Sequence, residues 1–228
     1  MPCQLPLGIV LRDNATFSNY VPGQNEEVLH TVQQTLRSGG EQFVYLWGTA
    51  GNGKTHLLHA ACHEVSIRGL SPVYLPLAQR HELAPQMLEG LEQLDLVCLD
   101  DIQCIAGDEA WEAALFHLYN RLRESGPPLL VAGDAITGAL GLRLPDLVSR
   151  LSWGVVYHLQ PLDDDAKRQA LQLRARCRGV EMPEDVAAYL LRRSPRDLPA
   201  LFELLDRLDY ASLAAQRKLT IPFVRQFL

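Results

Sequence analysis

Several features that would point to other classes of protein are missing from this 228-residue sequence. No apolar run approaches the roughly 18 residues that a membrane-spanning helix needs. The first residues do not combine a basic region with an apolar core, so we expect no signal peptide and a cytoplasmic location. The five cysteines lack C-x-x-C spacing, and we expect neither disulfides nor a cysteine metal site.

The sequence also lacks an excess of positive charge. It has 21 Lys and Arg against 27 Asp and Glu, a formal net charge of -6. A protein whose main task is to neutralise DNA phosphates carries many more cations, so we expect any contact with DNA to be indirect. The composition, 47% hydrophobic and 21% charged, is otherwise that of a globular protein with a full-sized core.

A complete phosphate-binding loop is the most informative feature that the sequence does contain. Residues 48–55 read GTAGNGKT and fill every fixed position of G-x-x-x-x-G-K-[ST]. Gly51 and Gly53 allow a tight turn whose N–H groups face phosphate oxygens at a helix N-terminus. Lys54 would reach the β- and γ-phosphates, and the Thr55 hydroxyl would bind Mg²⁺.

The flanks of the loop fit this interpretation. An apolar strand, residues 42–47, comes before it and an apolar helix start, residues 56–62, follows it. His56 extends the contact region into the helix and has no chemistry of its own. The residues that we expect to contact a nucleotide here are Thr49, Ala50, Gly51, Asn52, Gly53, Lys54, Thr55 and His56.

Strand-like and helical segments alternate over residues 10–160, which predicts an α/β domain with a five-stranded parallel sheet. The predicted strands cover residues 43–47, 72–77, 94–100, 128–133 and 155–159. After residue 160 only helical patterns remain, and residues 161–228 are predicted to form a small all-α domain. We expect Tyr210, Phe223 and Phe227 in its core.

Acidic residues follow two of the predicted strands. Asp100 and Asp101 end an apolar run in the Walker B form, where Asp100 would position Mg²⁺, although a helix cap explains such acids equally often without the loop. Asp101 stands where many such ATPases have a glutamate, so hydrolysis by the chain itself is expected to be slow. Asp134 is a candidate sensor of the γ-phosphate, and an equally good interpretation is that it only forms a turn before Ala135.

Two arginines have the chemistry to bind phosphate, because the planar guanidinium donates paired hydrogen bonds. From spacing alone, Arg150 and Arg196 are more typical of solvated surface charges.

Taken together, these motifs resemble the AAA+ ATPases, and within them the DnaA-related regulators of the Hda family. The resemblance runs along nearly the whole chain, and the Trp-Gly pair at 153–154 is the more specific part of it. It rests on residues 17–23 (FSNYVPG), 48–55, 99–103 (LDDIQ), 116–120 (FHLYN), 149–154 (SRLSWG) and 212–225.

The resemblance implies roles that spacing alone does not. Arg150 matches the arginine finger, Arg196 matches sensor II, and Tyr20 and Val21 match the segment beside adenine. ADP, or ATP, with Mg²⁺ is the implied ligand, and it would set conformation more than drive turnover. The implied partner is DnaA, whose bound ATP would receive Arg150 in trans.

The N-terminal segment, residues 1–9, suggests a second partner. Gln4, Leu5 and Leu7 resemble the Q-L-x-L core of peptides that bind the DNA polymerase sliding clamp, and a flexible tail suits such pocket binding. The alternative is a random apolar tail. A homodimer also remains open.

Three functions therefore compete. The first is a negative regulator that promotes hydrolysis of DnaA-bound ATP, and the second is a helicase-loader or remodelling ATPase with its own turnover. The third is an adaptor that only tethers a partner to DNA, in which Arg150 would be dispensable.

Overall fold

The computed structural model describes residues 15–37, 40–193, 197–215 and 217–228. Within this part of the chain, five strands form one parallel sheet in the order β2-β3-β4-β1-β5. The α/β fold with a parallel five-stranded sheet is therefore confirmed. The strands are β1 (Phe43–Trp47), β2 (Pro72–Pro76), β3 (Leu96–Asp100), β4 (Leu129–Gly133) and β5 (Val155–His158).

Two of the helices, α3 and α5, begin at an aspartate cap. The carboxylate of Asp108 accepts a hydrogen bond from the Trp111 N–H, at 3.3 Å, and that of Asp163 accepts from the Ala166 N–H, at 2.8 Å. The helices of the first 160 residues are α1 (Glu26–Thr35), α2 (Lys54–Ile67), α3 (Glu109–Ser125) and α4 (Pro145–Leu151). Those that follow are α5 (Asp164–Cys177), α6 (Glu184–Arg193), α7 (Leu198–Ala215) and α8 (Ile221–Val224).

Burial along the strands follows their place in the sheet. Every residue of the central strands β3 and β4 is buried, whereas the edge strands β2 and β5 are mostly half-buried. Central strands of a parallel sheet are covered on both faces and need continuous apolar runs. The residues from 96 to 100 and from 129 to 133 supply those runs, which is why the sequence predicts these strands well.

The chain divides into two compact units. Among the described residues, the first contains residues 15–17, 27–49 and 53–159, and the second contains residues 18–26, 50–52 and 160–228. The second unit has its own apolar cluster, built around Leu190, Leu205 and Phe223. This cluster is the core of the small all-α domain that the sequence predicts, which is called the lid below.

One core prediction for the lid is wrong. Phe223 is buried and Phe227 packs against the same cluster, but the side chain of Tyr210 is 78% exposed. Tyr210 lies on α7 between Asp209 and Ala211, while the buried face of that helix carries Leu201, Leu205 and Leu208. Aromatic character alone therefore did not indicate which side of the helix it occupies. Among the described helices, none is long and apolar enough to cross a membrane.

Candidate functional site: a phosphate loop and a separate arginine

The order of the strands brings distant parts of the sequence together. Strand β1 lies beside β4, and β4 lies beside β3. Because all of them are parallel, the segments that follow Trp47, Asp100 and Gly133 leave the sheet at the same edge. The phosphate loop, Asp101 and Asp134 are in these segments, and Asp100 is the last residue of β3.

Glycines at positive φ shape the phosphate loop. Gly48, Gly51 and Gly53 have φ angles of 149°, 84° and 90°, which residues with a Cβ rarely adopt. The helix α2 begins at Lys54, immediately after the left-handed Gly53. The loop thus presents backbone N–H groups and a helix N-terminus, as a phosphate site requires.

Lys54 is buried at the base of this loop. Its ammonium group donates hydrogen bonds to the carbonyl oxygens of Gly48, at 2.6 Å, and Thr49, at 3.0 Å. Burial lowers the pKa of Lys54, and the negative charges of Asp100, Asp101 and Asp134 oppose that shift. The acids at the strand ends therefore help to keep this lysine charged.

Asp100 is the centre of a small hydrogen-bond network. Its Oδ2 accepts from the Thr55 hydroxyl at 2.7 Å and from the Tyr74 hydroxyl at 2.9 Å, while its Oδ1 accepts from the Asp101 N–H at 3.0 Å. Burial raises the pKa of Asp100, and the hydrogen bonds from Thr55, Tyr74 and Asp101 oppose this shift. Tyr74 comes from the neighbouring strand β2 and is not predicted from the sequence.

Asp101 has an unusual backbone. Its φ of 57° is left-handed, a conformation that aspartate tolerates better than most residues. The carboxylate accepts a hydrogen bond from the side-chain amide of Gln103, at 3.0 Å, and the same amide's oxygen accepts from the Asp134 N–H, at 3.2 Å. Gln103 therefore links the two acidic segments, a role that the sequence analysis did not assign.

These residues fit a nucleotide with its metal ion. The loop offers N–H donors and a buried ammonium for phosphate oxygens, and the hydroxyl of Thr55 and the carboxylate of Asp100 are the oxygen ligands that Mg²⁺ prefers. Thr55 and Asp100 already lie within hydrogen-bond distance of each other, so one ion could be bound by both, directly or through water. Such an ion would neutralise phosphate charge.

The remaining predicted contact residues lie in three places. His56 Nε2 is 2.9 Å from the carbonyl oxygen of Thr16, in the segment that precedes the first helix. Tyr20 is buried, which raises the pKa of its hydroxyl, and Val21 is half-buried. The residues Gln4, Leu5, Leu7 and Arg196 lie outside the described residues.

Arg150 lies at the amino-terminal end of the parallel strands, opposite to the end at which the phosphate loop leaves the sheet. It occupies the last turn of α4, just before the chain enters β5, whose first residue Val155 pairs with Val44. Gly154 lies so close to Phe43, the first residue of β1, that a Cβ on Gly154 would overlap the Phe43 carbonyl oxygen. The phosphate loop leaves the opposite end of β1, about 13 Å away at 3.3 Å per residue.

The surroundings of Arg150 contain an aromatic ring. Its guanidinium carbon lies 4.3 Å from the ring centroid of Trp153, and the charge of Arg150 opposes the rise in the pKa of Tyr119 that burial causes. Within the described residues, no carboxylate forms an ion pair with Arg150, and its buried Nη1 has no hydrogen-bond acceptor.

Two family models match this chain. Residues 11–75 and 77–158 match the family described as the bacterial DnaA ATPase domain, well over half of the chain. The chain belongs to the DnaA ATPase domain family. Residues 164–228 match the lid domain of Hda, so within the AAA+ proteins this member of the DnaA family is Hda-like.

Solved structures show how widely the fold is shared. Domain III of the Thermotoga maritima replication initiation protein DnaA has a TM-score of 0.83 at 24% identity, over 96% of this chain and 97% of that chain. AMPPCP-bound DnaA from Aquifex aeolicus has a TM-score of 0.74 at 24% identity, over 87% of this chain and 66% of that one. The Thermotoga maritima RuvB branch migration motor has a TM-score of 0.67 at 17% identity, over 93% of this chain and 72% of that chain. At these identities the likeness shows the fold alone.

Proposed function

We propose that this chain is a negative regulator of replication initiation that promotes hydrolysis of ATP bound to DnaA. In this proposal Arg150 is supplied to the nucleotide of the partner. The membership of the DnaA family and the Hda lid support a DnaA-related role in replication. The matches to the DnaA ATPase domain and to the Hda lid are the reason for taking DnaA as the partner.

The position of Arg150 is the observation that carries the proposal. The arginine lies near the amino-terminal ends of the strands, and the chain's own phosphate loop lies at their carboxyl ends. Within the described residues Arg150 has no carboxylate partner. An arginine so placed is too far to reach a nucleotide in its own loop. It is suited to a phosphate that arrives on another molecule.

The chemistry expected of Arg150 is electrostatic. Negative charge on the transferred phosphoryl group and the leaving oxygen must be stabilised in the transition state, and a guanidinium in trans does this with paired hydrogen bonds. An arginine supplied in this way accelerates hydrolysis by roughly a thousandfold or more in related GTPase systems.

The chain's own loop would hold ADP, or ATP, and thereby set the conformation in which Arg150 meets its target. Lys54 and Thr55 suit a triphosphate and its Mg²⁺, but Asp101 is one methylene shorter than the glutamate that orients water in many such ATPases. Asp134, with Arg196 in the lid, is proposed to contact the phosphates. Turnover by the chain itself is expected to be slow.

The N-terminal residues Gln4, Leu5 and Leu7 are proposed to bind the sliding clamp on DNA. This contact would concentrate the regulator at replicating DNA without requiring a basic surface of its own, in line with the net charge of -6. In this view residues 1–9 are a tether, residues 10–160 carry the nucleotide and Arg150, and residues 161–228 form the lid. We propose that the protein acts in the cytoplasm.

The test is the hydrolysis of labelled ATP on DnaA in single turnover, with the clamp loaded on DNA. The intact protein should accelerate hydrolysis, and Arg150→Ala should not, although it should bind ADP as the intact protein does. A variant with Gln4 and Leu5 changed to alanine should require much more protein to reach the same rate. If Arg150→Ala accelerates hydrolysis as well as the intact chain, the trans role of Arg150 is wrong.

A second function is that of a helicase-loader or remodelling ATPase. The hydrogen bonds by which Gln103 connects Asp101 and Asp134 favour it. Asp101, Gln103 and Asp134 form a polar network beside a complete phosphate loop, which could support turnover in the chain itself. Efficient ATP hydrolysis by the purified chain, stimulated by single-stranded DNA, would favour this function over the first.

A further inference from the structure

Trp153 is unusually exposed for a tryptophan. Its side chain is 61% accessible to solvent, so the ring does not contribute to the core in the way that the buried Trp111 does. Two guanidinium groups lie over it, that of Arg150 at 4.3 Å and that of Arg123 at 5.4 Å from the ring centroid. A large aromatic side chain in water with cations against it suggests a role other than burial.

The backbone around Trp153 is held in place by local contacts. Its N–H donates to the Arg150 carbonyl at 3.1 Å, which closes the last turn of α4. The Ser152 hydroxyl lies 2.9 Å from the Val148 carbonyl and 2.7 Å from the Thr137 hydroxyl. On the other side, Gly154 packs against Phe43 so closely that no side chain fits there. The ring therefore extends from a fixed point beside the helix end.

This arrangement restrains the side chain of Arg150. A solvated arginine samples many rotamers, and ordering it on contact with a ligand costs roughly 2 kcal/mol of conformational entropy. Stacking on an indole uses the flat face of the guanidinium and leaves its N–H edges free to donate. In Arg150 the Nη1 atom is buried, which leaves Nε and Nη2 as the donors for a ligand. Because no acid within the described residues forms an ion pair with Arg150, those edges are not engaged by a carboxylate.

We propose that Trp153 is a positioning residue for Arg150, one that holds the guanidinium ready for the phosphates of a nucleotide bound to another protein molecule. This inference rests on the proposed function of Arg150. It also explains the Trp-Gly pair: Gly154 fixes the backbone by its close approach to β1, and Trp153 supplies the surface on which the arginine lies. Arg123 is more distant and exposed, and we assign it no role.

The first test is the single-turnover assay with DnaA-bound ATP, carried out over a range of regulator concentrations. Trp153→Leu, which removes the π face, should lower the maximal rate by about threefold to thirtyfold, the range of a cation–π contact. The concentration for half-maximal effect should change much less. Trp153→Phe should keep most of the rate, and Arg123→Gln should match the intact protein.

The outcomes separate the two proposals. Equal rates with the intact chain and with Arg150→Ala would overturn the trans role itself. An active intact chain, an inactive Arg150→Ala and a fully active Trp153→Leu would overturn only the positioning role. The positioning role would also be overturned if Trp153→Phe lost as much of the rate as Trp153→Leu. It would be overturned too if Arg123→Gln lost as much of the rate as Arg150→Ala.

A second measurement needs no partner. The indole N–H signal of Trp153, assigned in an NMR spectrum from its loss in Trp153→Phe, should shift in Arg150→Gln, because the cation over the ring is removed. The thermal unfolding midpoint of Trp153→Leu should stay close to that of Tyr210→Leu, in which another exposed aromatic residue is changed. An indole signal that does not move in Arg150→Gln would show that the stack is not populated and would overturn the inference.

Discussion

The Thr55 hydroxyl donates a hydrogen bond to Asp100 Oδ2 at 2.7 Å, and this contact joins the phosphate loop to the Walker B strand. The two residues are 45 positions apart in the chain and come from different elements, α2 and β3. Tyr74 donates to the same oxygen at 2.9 Å. The carboxylate that would bind Mg²⁺ is thus fixed by two hydroxyl donors before any ligand is considered.

Replacing Thr55 by valine removes the hydroxyl but keeps the shape of the side chain. We expect the Mg²⁺-dependent part of nucleotide affinity to disappear, with a loss of about tenfold in affinity, since one oxygen ligand is missing. Thr55→Ser is the matched control and should bind like the intact chain. Calorimetric titration with ADP and ATP, in Mg²⁺ and in EDTA, measures the effect. Equal enhancement by Mg²⁺ in Thr55→Val would contradict the assignment.

The left-handed backbone of Asp101 predicts an order of stability among its variants. At a φ of 57°, a Cβ without a compensating polar group costs about 1 kcal/mol, and glycine escapes this cost. We therefore expect Asp101→Gly to unfold at a higher urea concentration than Asp101→Ala, by about 1 kcal/mol in free energy of unfolding. Both variants lose the hydrogen bond from Gln103, so the comparison isolates the backbone. Equal midpoints would show that this conformation is not strained.

Glu112 is a buried carboxylate whose partners are backbone N–H groups. It accepts from Gly107 at 2.7 Å, from Arg143 at 2.8 Å and from Leu144 at 2.7 Å, and so ties the start of α4 to the turn before α3. Glu112→Ala leaves three donors without their acceptor, and we expect a loss of about 3 kcal/mol or more in the free energy of unfolding.

The control for this prediction is Glu109→Ala, in the same first turn of α3 but exposed. It should change the free energy of unfolding by less than about 0.5 kcal/mol. Urea or thermal unfolding of both variants provides the measurement. A Glu112→Ala protein as stable as Glu109→Ala would mean that these hydrogen bonds are not formed in solution.

The sheet and the loop could be predicted from the sequence because their signals are local. The apolar runs of β3 and β4 are continuous, and the loop occupies eight consecutive residues with fixed glycines. The contacts of the loop with Asp100 also follow from the parallel arrangement, because strand ends meet at one edge. The sequence therefore predicts that the phosphate loop and Asp100 are neighbours.

The partners of these groups could not be predicted in the same way. Tyr74 reaches Asp100 from the adjacent strand, and nothing in the local pattern around Pro72–Pro76 distinguishes it from a core residue. Gln103 links Asp101 to Asp134 because the chain turns sharply at Asp101, and a left-handed aspartate leaves no clear trace in sequence. The stacking of Arg150 on Trp153 likewise depends on the fold of a helix end.

The strand order also affects how the protein is made. Strand β1, which leads into the phosphate loop, pairs with β4 and β5 and with neither β2 nor β3. During synthesis the ribosome releases β1 and the loop long before either of these pairing strands exists. The loop therefore has no folded support until Gly133 has left the exit tunnel, because non-local strand pairing must wait for both segments. We therefore expect the proposed nucleotide site to form late in the synthesis of each chain.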